Sequence, residues 1–207
     1  MTRIIDISWP LFEGVKEYED NKSLKFDWHK TMKDGQINQS KISLDSHTGT
    51  HIDAPLHMTE NGLSVDKISL YSVVGNAIVL DLTYKREKIT LGDLKKEEIE
   101  PGAIVLFKTQ NSYQSVNSSF NPNFVYLDSS AAKFLAHKKV RAVGIDSLSL
   151  GSHDAHQELS VKSIPVIEGL RLKHVVQGQY FLVCLPIKVR GLEAAPARAI
   201  LFDRRNF

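Results

Sequence analysis

Eleven consecutive residues, His47-Thr48-Gly49-Thr50-His51-Ile52-Asp53-Ala54-Pro55-Leu56-His57, concentrate the chemical potential of this 207-residue chain. Three histidines and an aspartate stand in a segment that cannot form a regular helix. Gly49 is a poor helix-interior residue, Thr48, Thr50 and Ile52 are β-branched, and Pro55 has no backbone N–H. The histidines therefore line an irregular strand-to-loop turn. On a strand, residues two apart share a face, so His51 and Asp53 point together, and a turn at Gly49 can bring His47 to the same point. Neutral imidazole and carboxylate are ligands for Zn²⁺ and also suit Mn²⁺ and Fe²⁺. Two histidines and one carboxylate leave coordination positions open, as a catalytic metal requires. The zincin pattern is not met, because no Glu follows His47 and the segment is not helical. The competing view is three unrelated histidines out of eight in the chain. The chemistry expected is metal-assisted hydrolysis, with His57 available for proton transfer because an unperturbed imidazole titrates near pH 6.5.

These residues need a scaffold. With 42% hydrophobic residues the chain can bury a substantial core, and its length fits one domain, residues 1–207. A formal charge of +2 with interspersed signs gives no electrostatic case for nucleic acid or an anionic membrane as partner. Met1 to Asp6 contains no apolar leader-like run, and no segment approaches a membrane span, so a cytoplasmic location is expected. Cys184 is the only cysteine. It excludes an intramolecular disulfide and a thiolate cluster, and in Tyr180-Phe181-Leu182-Val183-Cys184-Leu185 it reads as a small buried hydrophobe. No phosphate loop or dinucleotide fingerprint occurs.

Arg3 to Ser8 reads as a first strand. Glu13 to Asp34, polar and aperiodic, reads as a long loop or flap. Ile37 to Leu44 alternates and reads as the strand that delivers the histidine motif. Further strands are expected at Ala77 to Leu82, Ala103 to Thr109, Val140 to Ile145, Ile164 to Ile167, Tyr180 to Leu185 and Ala199 to Phe202. Thr90 caps a short helix with Asp93 in its first turn, ended by Pro101-Gly102. Ser129 or Ser130 caps a helix carrying Ala132, Phe134, Leu135 and Ala136, and another helix covers Asp154 to Leu159. Asn111 to Asn123 is turn-rich and reads as a surface loop. Strands outnumber helices and βαβ alternation is confined to the second half, which predicts an α/β or α+β domain with a mixed sheet.

The eleven-residue segment also resembles the His-x-Gly-Thr-His-x-Asp-x-Pro-x-His motif of the cyclase-like metal-dependent hydrolases, which include bacterial kynurenine formamidase (arylformamidase) and isatin hydrolase. Three other places agree with that family: Asp6-Ile7-Ser8-Trp9-Pro10-Leu11, then Gly144-Ile145-Asp146 through His156 to Glu168-Gly169-Leu170, and Gly191-Leu192-Glu193-Ala194-Ala195-Pro196-Ala197-Arg198-Ala199. The resemblance implies a swivelling β/β/α domain assembled as a homodimer or homotetramer. It implies that His47, His51 and Asp53 bind a first metal, zinc foremost, with manganese or iron as alternatives. Asp53 would bridge to a second ion held by His156 and Glu168, giving one or two ions per subunit, and His57 would be the catalytic acid/base. The implied reaction is hydrolysis of a small N-acyl aromatic amide, foremost N-formylkynurenine, with an isatin-like cyclic amide as the alternative and a non-catalytic metal- or ligand-binding protein as a third reading. Gly14 to Leu24 lacks the Pro-Gly-Asp-Pro-like stretch of the family. Trp9, Phe12 and Trp28, with Phe26, are candidates for an aromatic substrate-binding wall. His153 is a secondary candidate ligand, Asp146 can reach the site through a hydrogen bond, and Arg198 can hold a carboxylate or make a structural ion pair. His29, His137 and His174, among polar residues, are expected to be exposed.

Overall fold

The computed structural model describes residues 4–203. In chain order the elements are β1 (Ile4–Asp6), β2 (Lys25–Lys30), β3 (Gln39–Ser43), β4 (His51–Asp53), β5 (Val74–Asp81), β6 (Lys88–Ile89), α1 (Leu91–Leu94), β7 (Ile104–Lys108), β8 (Tyr126–Leu127), α2 (Ser129–His137), β9 (Ala142–Ile145), α3 (His153–Ser160), β10 (Val166–Glu168), β11 (Gly178–Pro186) and β12 (Ala194–Asp203). The main sheet runs β1-β12-β11-β5-β7-β9-β10-β4, and β4 pairs in turn with β12. That last pairing closes seven strands into a barrel-like ring, with β1 added outside it on β12. The pairings β5–β7, β7–β9 and β9–β10 are parallel, and the rest of the ring is antiparallel. The sheet is therefore mixed, as the sequence pattern predicts.

Strand alternation sorts the side chains into two cores. All seven ring strands contribute to the inner one, among them Ile52, Val79, Leu106, Ala142, Ile167, Leu182 and Leu201. Leu80, Val105, Phe107, Val143 and Ile145 point the other way and are covered by Leu94, Ala131, Leu135, Ala155 and Leu159 of the three helices. Parallel strands need crossover connections, and those connections supply the covering layer. Burying both faces removes the alternation from β7 and β9, whose residues are all buried.

Several sequence expectations are corrected. The Glu13 to Asp34 region is not loop throughout: it contains β2, which pairs with β3 as a separate two-stranded hairpin. Only Phe26 of β2 packs inward, against the small cluster of Trp9, Val15 and Leu24, so Lys25–Lys30 carries no alternating burial pattern that would have marked a strand. The alternation in Ile37 to Leu44 does form β3, yet Ile37 and Ile42 are exposed. Asp128 caps α2, not Ser129 or Ser130: its carboxylate accepts hydrogen bonds from Ala131 N (2.9 Å) and Ser130 Oγ (2.7 Å). Asn111 and Ser112, at the start of the expected surface loop, are buried in a turn, while Tyr113 to Asn123 are exposed or half-buried, as expected. β12 starts at Ala194, ahead of Pro196, a residue that argues against a strand when read locally. Helix α1 is shorter than expected, although Thr90 and Asp93 do join at its start through Thr90 N and Oγ1 donating to Asp93 Oδ2 (2.8 and 2.7 Å). Arg3, at the start of the expected first strand, lies outside the described residues.

Candidate metal centre

The ligand candidates come together on the outer face of the ring, where β4 and β10 meet α3. Strand β4 is three residues long. Ile52 points into the inner core, so His51 and Asp53 point out. The antiparallel register sets His51 opposite Glu168 and Asp53 opposite Val166 on β10. On the other side β12 places Pro196 and Ala194 opposite the same pair. The chain enters β4 through Gly49, whose φ is +68° and where a Cβ would come within 2.5 Å of Leu11 Cδ2. It leaves through a 3₁₀ turn at Pro55–His57, begun by a proline whose missing N–H is not needed there. Helix α3, capped by Ser152, directs His156 inward.

The resulting contacts are short. Nε2 of His51 lies 3.4 Å from Asp53 Oδ1 and 3.2 Å from Glu168 Oε2. His47 Nδ1 is 3.0 Å from Asp53 Oδ1, and His156 Nε2 is 3.0 Å from Glu168 Oε1. His57 Nε2 and His156 Nε2 each stand 3.9 Å from Asp53 Oδ2. The donors fall into two trios that share Asp53: His51, Asp53 and Glu168, and His47, Asp53 and His57. This differs from the division implied by the family resemblance, since Glu168 groups with His51 and His57 with His47. The sequence-named residues His47, His51, Asp53, His57, His156 and Glu168 thus converge. His153 lines the adjoining cavity from an exposed position.

A cation fits these donors for a reason internal to the site. His51 Nδ1 is 3.0 Å from Gly49 O, and His156 Nδ1 is 3.1 Å from Ser152 O. A carbonyl only accepts, so each Nδ1 carries the proton and each neutral ring turns the lone pair of Nε2 toward carboxylates. Both Asp53 oxygens and His51 Nε2 are buried without hydrogen-bond partners. Lone pairs facing lone pairs in a buried site are unfavourable unless a positive charge lies between them. A divalent metal supplies it.

Without metal, protons take that role. Burial alone would push the His51 and His156 imidazoliums down, but Glu168 and Asp53 beside them raise both to about 9. Burial would likewise raise Glu168, yet His156 and His51 hold it well below the usual carboxylate range. Leu150 N also donates to Glu168 Oε1 at 2.5 Å. His47 is raised because Asp53 outweighs its burial, whereas burial lowers His57. His57 is therefore neutral near pH 7 and able to accept a proton.

The site opens into a cavity of about 620 Å³, lined among others by Tyr18, Asp45, His47, His57, Leu148 and His156. The aromatic wall expected from Trp9, Phe12 and Trp28 is not its lining. Trp9 and Phe12 pack with Val15, Leu24 and Leu148 in a separate small cluster. Trp28 is 60% exposed on β2. Tyr18, from the segment read as a flap, is the aromatic ring at the cavity, in contact with Phe120. Asp146 does not reach the metal residues: it accepts from Thr109 N and Oγ1, Ser112 N and Asn111 Nδ2. Arg198 makes an exposed ion pair with Asp6. His29, His137 and His174 are exposed, as expected. Glu193 was given no role by sequence reasoning, although it lies in a quoted motif. Its Oε1 is 3.3 Å from His47 Nε2 and accepts from Ser46 Oγ.

The family model described as "Putative cyclase" matches residues 5–152. Kynurenine formamidase of Bacillus thuringiensis subsp. konkukian (strain 97-27) is 31% identical over 204 residues, 95% of this chain and 96% of that protein. A solved structure described as a "predicted metal-dependent hydrolase from Bacillus stearothermophilus" is 40% identical and superposes with a TM-score of 0.88 over 99% of this chain and 100% of that one. Isatin hydrolase A from Labrenzia aggregata, bound to benzyl benzoate, superposes with a TM-score of 0.84 at 20% identity over 97% and 93% of the two chains, a likeness of fold.

Proposed function

This chain belongs to the cyclase family, and from that premise we propose that it is an arylformamidase, converting N-formylkynurenine and water into kynurenine and formate. At the coarser level it is a divalent-metal hydrolase of carbon–nitrogen bonds other than peptide bonds. The observation that carries the reading is the set of unpartnered, buried donor atoms of His51 and Asp53, in contact with His47, His57, His156 and Glu168, which line the cavity.

In this reading His47, His51, Asp53, His156 and Glu168 hold the metal, with zinc proposed ahead of manganese or iron. Because Asp53 belongs to both donor trios, the set has room for one ion or two. A divalent cation there lowers the pKa of water toward neutrality and polarises an amide carbonyl. His57, neutral and half-buried, takes the proton of the attacking water on Nε2. Asp53 Oδ2, 3.9 Å away, steadies the imidazolium that forms. As the carbon–nitrogen bond breaks, His57 returns the proton to the departing aryl amine, so the ring ends the cycle neutral. Tyr18 and Leu148 offer the cavity's apolar surface to the aryl ring.

One observation favours a second substrate. Among the described residues, Glu17, Glu19 and Asp45 line the cavity and no lysine or arginine does. A neutral cyclic amide of the isatin type fits that lining without a cation for a carboxylate. A homodimer or homotetramer is proposed as the working assembly and the cytoplasm as its location; no described helix is long and apolar enough to cross a membrane. The deciding assay follows kynurenine release from N-formylkynurenine with chelated and metal-restored protein. Metal-dependent release supports the formamidase. Inactivity on that substrate with turnover of isatin supports the cyclic-amide reading, and inactivity on both refutes the two.

A further inference from the structure

Leu148 borders the catalytic cavity on one side and a second, much smaller cavity on the other. The smaller space is about 20 Å³ and is lined by Trp9, Lys16, Asn111, Gln114 and Asp146 among others. Trp9 is 6% exposed and Lys16 5%. Trp9 Nε1 is buried with no hydrogen-bond partner, and so is Nη1 of Arg171. The Arg171 guanidinium lies over the Trp9 ring at 4.8 Å, and its Nη2 donates to Gln114 O (3.2 Å). Lys16 Nζ donates to Gln114 Oε1 (3.1 Å). None of these groups serves the metal centre.

We propose that this cavity binds a halide-sized monovalent anion such as chloride, held by Trp9 Nε1 and Lys16, with the Arg171 guanidinium stacked on the Trp9 ring beside it. Tryptophan, lysine and arginine side chains donate hydrogen bonds and cannot accept them. Their unspent donors ask for a partner that only accepts. A water molecule would satisfy them only by bringing two protons that need acceptors of their own. The charge count points the same way. Lys16 and Arg171 contribute two positive charges, and burial, with repulsion from Arg171 second, lowers the pKa of Lys16. Asp146 offsets one of them while its oxygens are occupied by Thr109, Ser112 and Asn111. Asp20 also acts on Lys16 but is exposed, where solvent screens it. One positive charge is left, which a monoanion balances. The volume admits one small sphere and excludes sulfate.

Two measurements test this. Wild-type crystals grown in sodium bromide should show an anomalous peak between Trp9 Nε1 and Lys16 Nζ. In solution, Trp28→Phe leaves Trp9 as the single tryptophan of the two in the chain. Bromide titrated against gluconate at constant ionic strength should quench Trp9 saturably, and Lys16→Met should raise the half-saturation concentration at least tenfold. Absence of the anomalous peak would overturn the site in favour of ordered water. Quenching that rises linearly and ignores Lys16→Met would mark an adventitious ion only, and would equally overturn it.

Discussion

Gly169 joins the ligand strand β10 to the turn before β4, and replacing it with alanine tests how tightly that junction is built. Its φ is +65°, and a Cβ there would collide with the Gly49 carbonyl oxygen and stand 2.7 Å from Gly49 C. The left-handed conformation costs an alanine about 1–2 kcal/mol. Forcing a methyl group against packed surroundings adds about 1–3 kcal/mol. The sum is about 2–5 kcal/mol, a large part of a net stability on the order of 5–15 kcal/mol. Neither side can retreat freely, because Gly169 O accepts from Thr50 Oγ1 (2.6 Å) and Gly169 N donates to Ser147 O (2.7 Å). Urea unfolding of metal-free protein, followed by tryptophan fluorescence, reads the effect. With a slope near ~2 kcal/mol/M, the midpoint should fall by about 1–2.5 M at unchanged slope. Gly92→Ala is the control: it lies in α1, its added Cβ would meet nothing closer than Thr90 Oγ1 at 3.7 Å, and it should gain about 0.5–1 kcal/mol. A Gly169→Ala midpoint equal to that of the parent would refute the reasoning about this junction.

Other expectations follow from the site. His51 and His156 are raised to about 9 by the carboxylates, so their contribution to metal-free stability is complete below the unfolded value near 6.5 and is lost as pH rises through 9. The melting temperature of chelated protein should therefore fall between pH 7 and 10, and calorimetry at pH 7 should detect about two protons released on metal uptake; a flat melting curve with no proton release would contradict the assignment. His57→Ala should keep its metal and lose about 10²–10⁴-fold in turnover. Metal analysis of that variant decides between proton transfer and ligation, since loss of an ion would place His57 in the trio with His47 and Asp53. Cys184 is fully buried, and burial pushes its thiol up to about 12, so a thiol reagent at pH 8 should modify it only in denaturant; rapid labelling of native protein would show that β11 opens.

Residues that bury a face or stand in the histidine segment were legible in the sequence; residues placed by long-range pairing were less so. The histidine segment announced itself because Gly49 and Pro55 forbid a helix and alternation puts His51 and Asp53 together. Helix α3 was readable within one residue at each end, but the role of His156 on it came only from the family resemblance. Glu168 was legible only through family resemblance, because its closeness to His51 depends on the β4–β10 register. The β2–β3 hairpin was half hidden, since neither strand has a buried face to leave a pattern. Trp9 left the cavity wall where it was expected, and Tyr18, given no role in the sequence reading, took it, for a similar reason. Hydrophobicity marks both as aromatic, but only the course of the chain after β1 decides that Trp9 packs beneath Arg171 while Tyr18 reaches the cavity.

The three residues of β4 are also the stave that shuts the ring, paired with β10 on one side and β12 on the other. Thr50 and Gly169, bonded beside that closure, are 119 residues apart along the chain. His51 and Glu168 therefore cannot face each other until β10 has been brought to β4. An ion that captures this donor set selects, from all collapsed chains, those with β10 paired to β4. In the proposed reading the donor set for a metal is complete only once that pairing has formed, and a chain with β4 undocked would have the same composition and helices but no such set.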